Sequence, residues 1–461
     1  MGWLVFSGDD GIDAIFDPVK NKSKKHQSNS ALVPFKTKDK YGCEDFSGVV
    51  GAFSRLLSDT SIKGNVDMKS LYTNMRMKLV DSDDEDFDKL FRVVEDIYFS
   101  DGRLLPSNIK SLNYVGSNIT QQQIAEYLYS LFVVGTDLKE KYMSMQGDED
   151  TNVLEGLVFS SLDDTEKKDK SSVQNADCFL PYVKEMFDKD LTILMKNNEN
   201  YKICINRFLA YYYMFYVSQL AVKLSRFDRG KRNEIEKIYL SLNWEVLTRV
   251  RPGYEYGWKY VKDAISHMFS HGFVLEMLSH NEDGNQLDYI GIYEKMLDTE
   301  NDEVVAAEIN HIIDIYKKWI PLDYEKCRHD EQKDGRCKAS NAARKLFEIV
   351  DYQFINGGRT SHYNGYNKKF IEFAQKNFGK WRGTLGYSVG VNENDIIMFT
   401  QIILEEYKGK IRLSKLFYEF EKRGLLFDRE SKKIITDLYE KMNLLEKRSD
   451  SGDAQYVKSV L

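Results

Sequence analysis

The side chains of this chain that could do chemistry fall into four small groups. His267 and His271 stand four apart in a helical stretch, the spacing that turns two imidazoles toward one metal ion. The segment reads His-Met-Phe-Ser-His, with no glutamate after the first histidine and no third ligand at a useful spacing, so two ordinary helix histidines are expected. Cys327, His329 and Cys337 place three soft ligands within eleven residues of a polar loop, but a structural zinc site takes four. Gly386-Tyr387-Ser388-Val389-Gly390 matches the nucleophile-elbow pattern GxSxG, whose serine needs a histidine later in the chain. The last histidine is His362, upstream, and the match reads as accidental. Asp81-Ser82-Asp83-Asp84-Glu85-Asp86 opens like a calcium loop but has Asp86 where glycine must turn the chain and Arg92 where a bidentate glutamate must close it. An acidic helix start before Phe87–Ile97 is expected instead. There is no GxxxxGK[ST] and no GxGxxG after a strand, so neither a P-loop ATPase nor a dinucleotide enzyme is expected. No catalytic residue, metal site or cofactor emerges.

What remains is charge set among aromatics near the C-terminus. Between Asn356 and Gly390 stand six basic residues (Arg359, Lys368, Lys369, Lys376, Lys380, Arg382) against one acid, Glu372. Tyr363, Tyr366, Phe370, Phe373, Phe378 and Trp381 interleave with them. A polyphosphate contact needs such a cluster, and the solvated face of an aromatic-cored helix would look the same. From Val391 the pattern becomes that of a winged helix-turn-helix. A helix is expected over Asp395–Tyr407, a second from Ser414 with Leu413, Leu416, Phe417 and Phe420 inward, and Gly424 suits a left-handed stop. Asp428 caps a third helix whose outward face carries Arg429, Lys433 and Thr436, with Lys432 at its edge. Leu444–Arg448, a Gly-containing turn and Gln455–Val460 read as a hairpin wing, with Lys447 and Arg448 placed for phosphates.

The elements that must position these residues are mainly α. Six prolines, 42% hydrophobic residues and recurring helical periodicity lead to a multi-domain helical protein with a C-terminal winged helix-turn-helix. Expected domains are 1–175, mostly helical with acidic stretches; 176–355, built around the aromatic helix Phe208–Leu224; and 356–461, the basic segment plus the winged helix. The amphipathic run after Asp228–Arg232 through Ile238, Leu242 and Val246 reads as a helix, as does Trp258–Leu278. Phe208–Leu224 is short for a membrane span and holds four tyrosines, which belong at interfaces rather than at a bilayer centre; it reads as core, with no membrane partner. The net charge is −7, yet residues 356–461 carry 19 Lys+Arg against 14 Asp+Glu, leaving −12 for the rest. Such asymmetry points to a polyanion contact at the C-terminal end. Five scattered cysteines with no CxxC pair, and Asp9, Asp10 and Asp13 straight after apolar Trp3–Phe6, fit a reduced cytoplasmic protein without a signal peptide.

Three strings carry a family likeness: Phe427-Asp428-Arg429-Glu430-Ser431, the closing Glu446–Val457 and Arg382-Gly383-Thr384-Leu385-Gly386-Tyr387. With the aromatic helix FLAYYYMFYVSQL, they resemble DptG (also called DndG), a family of bacterial phosphorothioation-dependent restriction systems. The likeness runs from about Cys178 onward. It implies a cytoplasmic subunit acting beside DptF-like and DptH-like ATPase subunits, against DNA lacking sulfur in its backbone; with the basic C-terminal segment and third helix, the chain reads as a non-catalytic subunit that binds and bridges double-stranded DNA. A pure scaffold for those ATPases, and a nuclease with an unrecognised metal site, are the alternatives. On the DNA reading, Arg429, Lys432, Lys433 and Thr436 border the major groove, Lys447 and Arg448 touch phosphate through the wing, and Arg359, Lys368, Lys369, Lys380 and Arg382 extend the track.

Overall fold

The computed structural model describes residues 46–62, 66–79, 83–100, 102–147, 152–162, 166–167, 178–279, 287–297, 301–327, 335–358, 360–447 and 455–459. Expectations for Trp3–Phe6, Cys43, His329, Arg359, Arg448 and the turn 449–453 lie outside the described residues. The chain is mainly helical with small sheets. In order come α1 (Ser47–Ser58), β1 (Thr60–Ser61), α2 (Met68–Lys78), α3 (Asp84–Tyr98), β2 (Phe99–Ser100), β3 (Arg103–Leu104), α4 (Ile119–Phe132), α5 (Leu138–Gly147), α6 (Val153–Ser161) and β4 (Glu166–Lys167). Then follow α7 (Pro181–Leu194), α8 (Asn198–Leu224), β5 (Ser241–Leu242), α9 (Lys259–Ser266), α10 (Met268–Leu278), α11 (Tyr289–Leu297), α12 (Asp302–Trp319) and α13 (Lys338–Asn356). The C-terminal part holds α14 (Thr360–Phe378), β6 (Gly379–Trp381), β7 (Tyr387–Val391), α15 (Glu393–Glu406), β8 (Lys410–Arg412), α16 (Leu413–Lys422), α17 (Arg429–Lys441), β9 (Leu445–Lys447) and β10 (Gln455–Lys458).

The acidic run before α3 is a helix start. The Asp83 side chain accepts from the Asp86 N–H, and Phe87, Phe91, Val94 and Tyr98 form the buried stripe. They pack with Leu71, Met75 and Val158 in a small separate cluster. The main buried cluster runs from Phe46 to Val457 and crosses positions 175 and 355 without a break.

At its centre lies α8, buried at every position from Phe208 to Leu224. Its rings meet every neighbouring layer: Tyr211 on Phe399 of α15, Tyr212 on Phe187 of α7, Tyr213 on Phe373 of α14, Tyr216 on Phe132 of α4. A helix apolar on all sides must be wrapped on all sides, and tyrosines such as Tyr211 and Tyr212 find hydroxyl partners there as well. Tyr211 donates to the Arg423 carbonyl (2.7 Å) and Tyr212 to Asp190 (2.6 Å). Among the described residues, no helix is long and apolar enough to cross a membrane.

The expected helix through Ile238, Leu242 and Val246 is not there. The segment is extended: Ile238, Leu240 and Leu242 are buried at every second position, while Val246 is 81% exposed. Residue 239 bridges Leu426, and β5 runs parallel to β7. Tertiary strand pairing overrode a short apolar run whose period was ambiguous. Trp258–Leu278 likewise breaks at His267, which closes α9 and opens α10.

After β7 the order is helix, strand, helix, helix, hairpin. Asn392 and Asp395 form a reciprocal capping box at the start of α15. Gly424 has φ 75°, the left-handed stop expected of it, and a Cβ there would strike the Phe215 ring. Strand β8, which the sequence reading did not anticipate, joins the terminal hairpin in an antiparallel sheet of order β8-β10-β9.

Arg423 and Arg207 help fasten this unit to the helical body. Arg423 and Asp190 are both fully buried, with Nε–Oδ2 at 2.8 Å and Nη2–Oδ1 at 2.7 Å. Arg207 on α8 grips Asp395 with two bonds of 2.5 and 2.6 Å and lies 3.9 Å over the Phe378 ring. Replacing Arg423 with Met should leave Asp190 buried and unpaired and lower stability by about 3–5 kcal/mol, read by urea unfolding. Adding Asp190→Leu should recover part of that loss, and a single variant as stable as the parent would refute the clamp.

Glu419 supplies a pH prediction. Burial alone would raise its carboxyl, but bonds from Lys422, Tyr407 and Lys415 outweigh that and bring it from 4.5 to about 2. A depressed carboxylate stabilises the fold above its unfolded value and loses that contribution as pH falls from 4.5 toward 2. Acid unfolding of Glu419→Gln should therefore show a shallower pH slope across that window than the parent.

Candidate nucleic-acid interface

Helix α17 is the element on which the DNA reading rests. The Asp428 side chain accepts from the Ser431 N–H at 3.0 Å and caps it, as its place before the helix anticipates. Ile435, Leu438 and Tyr439 turn inward, and the Tyr439 hydroxyl meets Thr400 at 2.6 Å. Arg429 and Lys433 are exposed on the first turns.

A partner from far away in sequence holds this N-terminus. Arg251 reaches Asp428 through Nε (3.0 Å) and Nη2 (2.6 Å), and Nη2 also donates to Glu245 and to Ser431 Oγ, both at 2.8 Å. Burial would raise the Asp428 carboxyl, but the Arg251 guanidinium and the Ser431 N–H outweigh it and hold it below its ordinary value. An unpaired carboxylate at this helix end would repel phosphate. Paired with Arg251, the cap keeps its hydrogen bond and sheds much of that repulsion.

The other expected contacts are divided. Lys432 is half-buried, 2.8 Å from Glu421 and 5.4 Å from the Phe417 ring centre. Thr436 bonds back to the Lys432 carbonyl. Lys447 pairs with Glu440 at 2.7 Å, and Lys368 with Glu372 one turn along α14 at 3.2 Å. Lys369 is half-buried on the same helix, and Lys380 is exposed on β6. Arg382 builds the fold: Nε donates to Ser388 Oγ, Nη1 to the Glu245 carbonyl and Nη2 to the Leu242 carbonyl, at 3.0, 2.6 and 2.6 Å. It ties the β6–β7 hairpin to the Leu242–Glu245 turn, whose Glu245 side chain holds Arg251 and Ser431. The hairpin and the start of α17 are thus joined through one network.

The aromatics of the basic segment also divide. Tyr363, Phe370, Phe373 and Phe378 are core, whereas Trp381 is 61% and Tyr387 44% exposed. The latter two face each other across the β6–β7 pair, ring centres 5.1 Å apart. An exposed ring pair beside Lys380 is a surface on which an unstacked base or a partner side chain can lie. Arg251 and Glu245 escaped the sequence reading because 177 residues separate Arg251 from Asp428, and no local spacing signals such a pair.

The groups that invite a catalytic or metal reading have partners within the fold. Ser388 sits inside β7 and bonds Ser241 Oγ at 3.1 Å. Gly390 is needed because a Cβ would collide with the Ser241 carbonyl of the parallel strand. His267 pairs with Asp351 at 3.0 Å, and buried His271 with the Tyr289 hydroxyl at 3.0 Å. Cys337 Sγ caps α13. Among the described residues, no three His, Cys, Asp or Glu side chains are grouped to hold a metal ion.

No protein-family model matches the chain, and no curated protein matches it.

Arg251→Met should leave the Asp428 and Glu245 carboxylates buried without that cation. The expected loss is about 3 kcal/mol by urea unfolding, with weaker protection of α17 amides in hydrogen exchange than of α8 amides. Unchanged exchange in α17 would mean that Arg251 does not hold this helix.

Proposed function

We propose that this chain is a non-catalytic subunit that binds and bridges double-stranded DNA within a phosphorothioation-dependent restriction complex. On this reading it acts in the cytoplasm beside DptF-like and DptH-like ATPase subunits, on DNA lacking sulfur in its backbone. The segment 392–459 is read as a winged helix-turn-helix. Support for that comes from its element order and from the antiparallel joining of β8 to the terminal hairpin. The observation that carries the DNA reading is the exposure of Arg429 and Lys433 on the first turns of the third helix of that unit, the part such folds present to a groove. Lys380 and the Trp381–Tyr387 pair extend the surface, and α17 is held by Arg251 so that it meets the duplex already ordered.

A second reading, a protein–protein scaffold, has its own observation. Lys368, Lys432 and Lys447 each face a glutamate, so much of the expected positive track is neutralised, which suits a partner subunit as well as a phosphate backbone.

Salt separates the two. Each phosphate contact adds about 0.9 to the slope of log affinity against log salt, so Arg429→Glu with Lys433→Glu should flatten that slope by about 2 and weaken duplex binding at least about 10-fold. Urea unfolding should be nearly unchanged, because both side chains are exposed. Duplex affinity and slope equal to the parent's would remove DNA from this face and leave the scaffold reading.

A further inference from the structure

A cleft of about 330 Å³ opens beside α1, lined among others by Ala52, Arg55, Leu56, Thr60, Ser117 and Glu126. Arg55 is the only charged residue of α1 and is 8% exposed. Its Nη1 donates to the carbonyls of Asn113 (2.8 Å) and Val115 (2.7 Å), and its Nη2 to Ser117 Oγ (2.5 Å). All three acceptors are neutral. A buried guanidinium ordinarily faces a carboxylate, because an uncompensated charge out of water is costly. Among the described residues the other buried arginine, Arg423, obeys that rule. Arg55 does not: among the described residues no carboxylate pairs with it, and burial without a counter-ion brings its guanidinium down to about 10.

The donors left over have a shape. Of the five N–H bonds of a guanidinium, the Nε–H and one Nη2–H of Arg55 have no acceptor among the described residues. These two nitrogens form the fork that grips an oxyanion through two parallel bonds. Ala52 and Leu56 offer apolar wall, and Glu126 offers an acceptor for a ligand hydroxyl. The volume is at the low end for small-molecule sites, which suits a sugar phosphate and is too small for a dinucleotide.

We propose that this cleft binds a small phosphomonoester, its phosphoryl oxygens held by the Nε–Nη2 edge of Arg55, with a sugar hydroxyl donating to Glu126. The phosphate supplies the counter-ion that Arg55 lacks, so the site is occupied by an anion when filled and carries an uncompensated charge when empty. The same chemistry is offered by a free sugar phosphate and by the 5′-phosphate at a DNA strand end.

The test titrates the full chain with inorganic phosphate, ribose 5-phosphate and short duplexes with or without a 5′-phosphate, followed by calorimetry and by thermal unfolding. Saturable one-site binding of ribose 5-phosphate with a rise in Tm is expected. Arg55→Gln should weaken it by about 10-fold or more. Glu126 is exposed, so Glu126→Ala should keep the parent's unliganded Tm while ribose 5-phosphate binds several-fold more weakly and inorganic phosphate binds as in the parent. Should Arg55→Gln fail to fold, Glu126→Ala decides alone. A preference for the 5′-phosphorylated duplex, competed away by ribose 5-phosphate, would place the phosphate at a strand end. No saturable binding of any phosphate probe up to about 10 mM, or parental affinity for ribose 5-phosphate in Glu126→Ala, overturns the proposal.

Discussion

The fold depends on a charge buried where it can be met only by another charge. Arg423, at the end of α16, is fully enclosed, and Asp190 of α7 meets it with both carboxylate oxygens. Burial pulls the guanidinium toward neutrality, but Asp190's charge and hydrogen bonds outweigh it and the arginine stays protonated. Tyr212 donates to the same carboxylate, and Tyr211 to the Arg423 carbonyl. The pair therefore joins three things that would otherwise pack loosely: the central aromatic helix, the helix before it and the C-terminal helices. Apolar packing alone tolerates sliding, whereas a bidentate ion pair in low dielectric fixes register and angle.

The same arrangement recurs at the edges of that contact. Arg207 with Asp395, and Arg251 with Asp428, each bring an arginine from the helical body to a helix-capping aspartate of the C-terminal unit. A capping carboxylate satisfies backbone N–H groups and leaves a negative charge at the helix end. The arginine cancels that charge and docks the helix at once. Three such clamps make the C-terminal unit part of one body, and the buried cluster accordingly continues through it. Whatever Arg429, Lys433 and the Trp381–Tyr387 pair touch, they touch from a rigid base.

Much of this was legible in sequence wherever period and chemistry were local. The Phe208–Leu224 helix, the acidic helix start before Phe87, the Asp428 cap, the Gly424 stop and the inward residues of α16 follow from spacing and from what each side chain can donate or accept. The extended segment at 238–242 was misread because apolar residues at two-residue spacing also fit a helix when read at every fourth position, and only pairing with β7 and Leu426 selects between them. Strand β8 is three residues long, too short to declare a period without its partner β10. Arg382 looked like a surface cation because it lies in a basic stretch; three acceptors brought to it by other segments turned it into a tie of the hairpin.

The sequence alone determined a mainly α chain around an aromatic core helix, with a C-terminal succession of three helices and a hairpin whose third helix leads with basic residues. Those features depend on backbone propensity and on side chains three or four residues apart, and so are written along the chain. Only the tertiary structure decided which charges are free to act. Arg251, Arg382 and Arg423 are occupied within the fold, Lys432 and Lys447 are neutralised, Arg429 and Lys433 face solvent, and Arg55 is buried with no carboxylate partner among the described residues. A cation's role depends on its nearest acceptors and its distance from water, and folding sets both by joining residues up to 233 positions apart.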